Sequence, residues 1–165
     1  MVLQTLLARC RRRLFVATAD VKDLHVPQGG PGRRARSILD VLAEAASRGI
    51  DVRLLHSGVP SERALARLKK NPPGEGFVLR RCPRMHAKAV IADGRWMYAG
   101  SANLTGAGLG AKSPRRRNFE SGVLTDETAL IDPLADMLQA VWAGEHCADC
   151  GRRDHCPVPL EEPAL

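Results

Sequence analysis

The residues of this chain best equipped for chemistry lie in one stretch: His86-Ala87-Lys88, the apolar run Ala89 to Ala92, Asp93-Gly94, and then Gly100-Ser101-Ala102-Asn103. An imidazole serves as nucleophile or general acid-base near neutral pH, because its unperturbed pKa is about 6.5. A lysine ammonium and an asparagine amide are donors suited to phosphate oxygens. The apolar run between Lys88 and Asp93 reads as a buried strand, and side chains two apart in a strand share a face, so His86 and Lys88 aim at one spot. Asp93-Gly94 marks a hairpin turn. Trp96-Met97-Tyr98-Ala99 then reads as the returning strand, which carries Ser101 and Asn103 to the same end of the sheet. A nucleophile beside a phosphate cradle points to phosphodiester chemistry.

These residues, at this spacing, resemble the HKD motif of the phospholipase D superfamily: His-x-Lys, four residues, Asp, and then Gly-Ser-x-Asn. The resemblance extends upstream to Arg48-Gly49-Ile50-Asp51-Val52-Arg53-Leu54-Leu55, similar to the family's helix-to-strand junction. Downstream, Asn118-Phe119-Glu120-Ser121-Gly122 is similar to its later acidic segment, so the likeness runs from about residue 14 to residue 143. It implies that one histidine attacks phosphorus to form a phosphohistidine, a second protonates the leaving oxygen, and water releases the product. His86 is then the nucleophile, with Lys88 and Asn103 holding the non-bridging oxygens and Ser101 in the same cradle. Glu120 would accept the other ring N–H of His86 and fix its tautomer, as the acid of a triad does. Asp93 counts among the motif residues, although its turn position suits hairpin geometry better than substrate contact. No metal or other cofactor is needed for this catalysis.

The scheme needs two histidines, and none of His25, His56, His146 and His155 has a lysine two residues on. The chain therefore carries half a site. A two-fold homodimer would set two copies of His86 face to face, as in the family's small single-motif nucleases, and isologous pairing is the commonest oligomer.

Composition agrees with one catalytic half-domain and a polyanionic partner. The chain has 165 residues, enough for one core, and a formal net charge of +7. Its basic residues cluster at Arg11 to Arg13, Arg33-Arg34-Ala35-Arg36, Lys69-Lys70, Arg80-Arg81 with Arg84, and Lys112 with Arg115 to Arg117. Any one cluster is equally well read as solvated surface. Arg115, Arg116 and Arg117 are the exception, because their loop joins Asn103 to Glu120 and must start and end near the site. They are expected to contact the substrate backbone. Nucleic acid leads as partner. No apolar run is long enough to span a bilayer, and the opening residues place their apolar stretch before the arginines, the reverse of a secretory signal. No membrane partner and a cytoplasmic location are expected.

The elements that must position these groups alternate. Leu14 to Thr18 reads as the first core strand. Arg36 to Arg48 repeats apolar residues at helical spacing and stops at Gly49, a strand follows over Asp51 to His56, and Ser61 caps a helix to about Lys70. Gly76 to Leu79 and the motif hairpin come next, then a short strand at Gly122 to Leu124 and an amphipathic helix over Thr128 to Ala143. This pattern predicts an α/β fold, a mixed β-sheet flanked by helices on both faces, over residues 1–145. Trp142, at helical spacing beside a core face, is expected to pack rather than stack on a base. Gly29-Gly30-Pro31-Gly32 lacks the spacing of a phosphate loop and reads as a connection.

A second chemical feature is the Cys-rich tail, residues 146–165. Cys147-Ala148-Asp149-Cys150 with Cys156 places three soft ligands close together, half of a structural zinc site. His155 is taken as the fourth ligand, with His146, Cys82 and Cys10 as the other candidates. A disulfide is the competing reading, disfavoured in a reducing cytosol.

Charge and length together favour a nuclease acting on DNA or RNA. The competing enzyme is a phospholipase D-type lipid hydrolase or transferase, which should show an apolar rim or membrane-binding helix. The competing non-enzyme is a nucleic-acid-binding component of a larger complex, for example in defence. Intact His86, Lys88, Asn103 and Glu120 argue against a dead site.

Overall fold

The apolar periodicities resolve into one sheet with helices on both faces, seen in a computed structural model that describes residues 2–22, 24–26, 35–72, 74–105, 115, 118–158 and 160. The elements are α1 (Val2–Arg9), β1 (Arg13–Thr18), β2 (His25–Val26), β3 (Arg36–Ser37), α2 (Ile38–Ser47), β4 (Asp51–His56), α3 (Glu62–Lys70), β5 (Phe77–Arg81), β6 (Ala89–Ala92), β7 (Trp96–Gly100), β8 (Gly122–Thr125) and α4 (Thr128–Ala143). A short 3-10 turn, Arg153–His155, lies in the tail.

Local chemistry sets the boundaries. The Ser37 hydroxyl accepts from the Leu39 amide at 3.2 Å and starts α2, while Gly49, at φ 89°, supplies the left-handed turn beyond its end. Ser61 caps α3 by accepting from the Ala64 amide at 3.3 Å. Gly144, at φ 80°, closes α4 in the same left-handed way.

The main sheet runs in the order β5-β4-β1-β6-β7-β8. β1 is parallel to β4 and β4 to β5, whereas β6, β7 and β8 join antiparallel. Alternation along β1 divides the core. Leu14 and Val16 face Leu3, Leu6, Leu39 and Leu42 from α1 and α2. Phe15 and Ala17 face Ile131, Leu138 and Trp142 from α4. Trp142 is buried and stands edge-on to Phe15, with ring centroids 5.5 Å apart, so it is a packing residue.

One helix and one strand pair escaped the sequence reading. The opening apolar residues form α1 and bury Leu3 and Leu6 against the sheet, and the β2–β3 pair brackets the Gly-rich connection, whose residues 27–34 lie outside the described set. β5 also runs to Arg81, because its parallel pairing with β4 continues to His56.

Register brings the chemistry to one edge. Ala17 pairs with Ala89 and Thr18 with His56, so the ends of β1 and β4 lie beside the start of β6, where His86 and Lys88 enter. The end of β7 joins them, since the Gly100 amide donates to the Lys88 carbonyl at 3.0 Å.

Candidate active site

His86 and Lys88 lie just ahead of β6 and share a face. The Lys88 Nζ stands 3.1 and 3.2 Å from the two ring nitrogens of His86 and donates to the His86 carbonyl at 2.7 Å. The imidazole is exposed and Lys88 half-buried, so both reach solvent from a fixed backbone.

Ser101 and Glu120 are clasped beside them. The Ser101 hydroxyl donates to Glu120 Oε2 at 2.5 Å and accepts from the Ser121 amide at 3.0 Å. The Asn118 side-chain amide donates to Glu120 Oε1 at 3.0 Å. Donation by Ser101 and Asn118, with the Lys88 charge nearby, holds the Glu120 carboxyl below the usual carboxylate range. The sequence reading gave Glu120 to the His86 ring. Among the described residues its hydrogen bonds instead go to Ser101 and Asn118, and the group on His86 is Lys88.

This clasp requires the β7 and β8 backbones to touch at the paired Gly100 and Gly122. A Cβ on Gly100 would meet the Ser121 carbonyl and lie 2.6 Å from Tyr98 Oη and 2.7 Å from Gly122 Cα. The glycine of Gly-Ser-x-Asn is thus a close-approach residue.

Asn103 is fixed from behind. Its Oδ1 accepts from the Ala19 amide at 3.2 Å and, at 3.4 Å, shares the Thr18 hydroxyl proton with the Asp20 carbonyl, which leaves the side-chain N–H groups as its donors to a phosphate oxygen. Thr18 is buried, donates to the Asp20 carbonyl at 3.0 Å and accepts from the Leu104 amide at 3.0 Å. The sequence reading passed over Thr18. A polar residue ending an otherwise apolar strand was the available signal.

Asp93 lies at the other end of β6, and its carboxylate accepts from the amides of Arg11, Arg12 and Arg13 at 2.7, 2.8 and 2.8 Å. Burial pushes its carboxyl up, but these donors outweigh it and hold the pKa below the usual range. Four residues of strand separate it from Lys88, so the two lie about 16 Å apart along the strand. Its place among the catalytic residues is therefore corrected to an anchor for the entry into β1. Beside it, burial and the Asp93 charge push the Cys10 thiol up to about 11.

Arg115 is exposed, while Arg116 and Arg117 lie outside the described residues. His56, on the same sheet edge, is buried, with Nδ1 2.8 Å from the Gly58 carbonyl, and burial lowers its pKa. It secures the loop after β4.

A cavity of about 270 Å³ opens next to His86, floored by Met85, Met137, Val141 and Leu160. Tail residues form its far wall. Among the described residues no three His, Cys, Asp or Glu side chains stand close enough to hold a metal ion, so Cys147, Cys150, Cys156 and His155 do not form the expected zinc cage. His155 is exposed and does not line the cavity. Among the described residues no helix is long and apolar enough to cross a membrane.

Comparison with known proteins places this arrangement. Residues 4–142 match the family model described as "Cardiolipin synthase, PLD-like domain". No curated protein matches the sequence. Among solved structures, NucT from Helicobacter pylori is similar with a TM-score of 0.60 at 20% identity, covering 84% of this chain and 85% of that one. The phospholipase D family member Nuc from Salmonella typhimurium gives 0.58 at 19% identity, covering 85% and 86%. TrmBL2, an archaeal chromatin protein whose structure shows a novel mode of DNA binding, gives 0.51 at 15% identity, covering 86% of this chain and 48% of that one. At these identities the solved structures establish a shared fold.

Proposed function

The chain belongs to the phospholipase D-like family, and from that premise we propose that it is a nuclease that cleaves phosphodiester bonds of DNA or RNA through His86, without a catalytic metal, in a site completed by a second copy of the chain. The observation that carries this reading is the convergence of His86, Lys88, Ser101, Asn103 and Glu120 on one sheet edge.

In the first step a ring nitrogen of His86 attacks phosphorus and the leaving oxygen departs with a proton from the partner's His86. Lys88 and the Asn103 amide hold the non-bridging oxygens as charge shifts onto them. In the second step water, deprotonated by the same histidine of the partner, attacks the phosphohistidine and restores His86. Glu120 positions rather than reacts. Its carboxylate fixes Ser101 and faces the Lys88 charge, keeping the ammonium over the imidazole.

A dimer is favoured by what surrounds this edge. Phe119 is fully exposed next to Glu120, and Val123, Leu124 and Leu130 are exposed along β8 and the start of α4. Large apolar groups left exposed on and beside an outer strand suit a covered surface, and a C2 interface needs about 800 Å² from each partner. The net charge of +7 favours nucleic acid as substrate.

The test is incubation with single- and double-stranded DNA and RNA, and with phosphatidyl lipid vesicles, in the presence of a chelator and beside His86→Ala. Cleavage of nucleic acid that is lost in the variant is expected, with a thermal melt confirming that both remain folded. Cleavage confined to lipid would transfer the reading to a lipid phosphodiesterase. Tight nucleic-acid binding without cleavage would make the chain a binding component.

A further inference from the structure

Four of the five cysteines, Cys82, Cys147, Cys150 and Cys156, line the cavity beside His86. Each is half-buried, whereas His146 and His155 are exposed. Cys82 and Cys147 also pack against the same apolar cluster. Each cysteine lies at a hydrogen-bonded turn: the Met85 amide donates to the Cys82 carbonyl at 2.8 Å, Cys150 to Cys147 at 3.1 Å, Arg153 to Cys150 at 2.8 Å, and Cys156 to Arg153 at 3.1 Å. Such turns let a thiolate and nearby amides face one point, the habit of structural metal knuckles.

We propose that these four cysteines are the ligands of one thiolate-bound metal centre, zinc or an iron–sulfur cluster, which fastens the tail to the segment leading into His86. Cys82 takes the place that the sequence reading gave to His155. Cys10 is excluded because it is buried at the far end of β6, with its thiol donating to Asp93 at 3.5 Å.

Two further observations support the assignment. Four thiolates around a divalent ion leave net negative charge, and Arg84, Arg152 and Arg153 line the same cavity, with Arg84 Nη1 donating to Cys150 Sγ at 3.5 Å. Among the described residues of 144–160 the turn-rich tail buries only Leu160 and Gly144, too little apolar surface to order so many residues without a cross-link. In the present arrangement the sulfurs are too spread to share an ion. Binding therefore draws the tail toward Cys82, since zinc–thiolate bonds are about 2.3 Å long. Because Cys82 lies four residues before His86, the centre would also fix the approach to the nucleophile. The proposal does not depend on what the site cleaves.

The full-length chain, purified without oxygen or chelator, is expected to carry one metal centre per chain by elemental and sulfide analysis. Zinc alone identifies the ion, iron with sulfide identifies the cluster, and either supports the four-thiolate site. Cys82→Ser should lose the metal as completely as Cys147→Ser, while His155→Ala and Cys10→Ser keep it. A readout that needs no variant is alkylation of wild type: metal should protect Cys82 together with the three tail cysteines, and its removal should expose all four at once. Absence of stoichiometric metal after reducing reconstitution with Zn²⁺ and with iron and sulfide would overturn the proposal. So would disulfides in the fresh protein, or full metal retention and unchanged protection in Cys82→Ser.

Discussion

Replacing Asp93 separates structure from catalysis within the motif. Its carboxylate gathers three consecutive backbone amides at 2.7–2.8 Å, and its own backbone sits at φ 55°. Hydrogen bonds to a charged acceptor contribute about 1.5–3 kcal/mol each when buried. Here the group is partly exposed and the amides can turn to water, so about 1 kcal/mol each is the better figure. Asp93→Ala also places a Cβ residue without a polar side chain in the left-handed region, at about 1 kcal/mol. The total is about 3–4 kcal/mol, which for a chain of this size lowers the Tm by about 6–16 °C. Asp93→Asn tolerates the backbone and keeps one acceptor, so about half that loss is expected.

The pH dependence of this variant has a definite sign. The folded-state pKa of Asp93 lies below its unfolded value, which is about 3.9. Its contribution is therefore fully present above that value and disappears as pH falls through the folded pKa. The gap between wild type and Asp93→Asn should be complete at neutral pH and close in acid. Denaturant melts across pH, with turnover of a chromogenic phosphodiester at a temperature where both proteins are folded, make the assay. A wild-type Tm, or a collapse of kcat in folded Asp93→Asn, would refute the assignment of Asp93 as an anchor.

Other variants probe the site itself. Thr18→Val strips the hydroxyl that Asn103 and the Leu104 amide use, so a stability loss of about 1–3 kcal/mol and a fall in kcat should appear together in melts and turnover. Ser101→Ala and Glu120→Gln break one clasp. Each should slow turnover, and the double variant should be no slower than the worse single one, whereas additive losses would mean independent roles. Gly100→Ala forces its Cβ against Tyr98 and Gly122, and thermal unfolding should show a loss of about 1–3 kcal/mol. Phe119→Asp with Leu124→Asp should yield monomers by light scattering and abolish turnover without lowering the helical signal.

The sheet and its flanking helices were legible because β1, β6 and β7 are short apolar runs close to glycine or aspartate, because Gly49 and Ser61 mark the end of α2 and the start of α3 on either side of β4, and because α4 repeats its apolar residues at helical spacing. What escaped depends on partners distant in sequence. α1 is eight residues long and owes its existence to the sheet face that Leu3 and Leu6 cover. The motif spacing brought out His86, Lys88, Ser101 and Asn103, but it assigns no hydrogen bonds. Only the register of β7 against β8 reveals that Glu120 meets Ser101. In the same way Thr18 became visible as the support of Asn103 only once the end of β1 was seen beside β7. Cys82 is separated from the tail by the whole of the motif hairpin and α4, and sequence spacing alone could not rank it above His155.

The central claim, that one active site is built from two copies of His86, is tested most directly by subunit mixing. Equal amounts of wild type and His86→Ala, exchanged to equilibrium, should retain about one quarter of the wild-type activity per total chain, because only dimers with both histidines turn over. Retention of about one half, the value for chains that each work alone, would contradict the account.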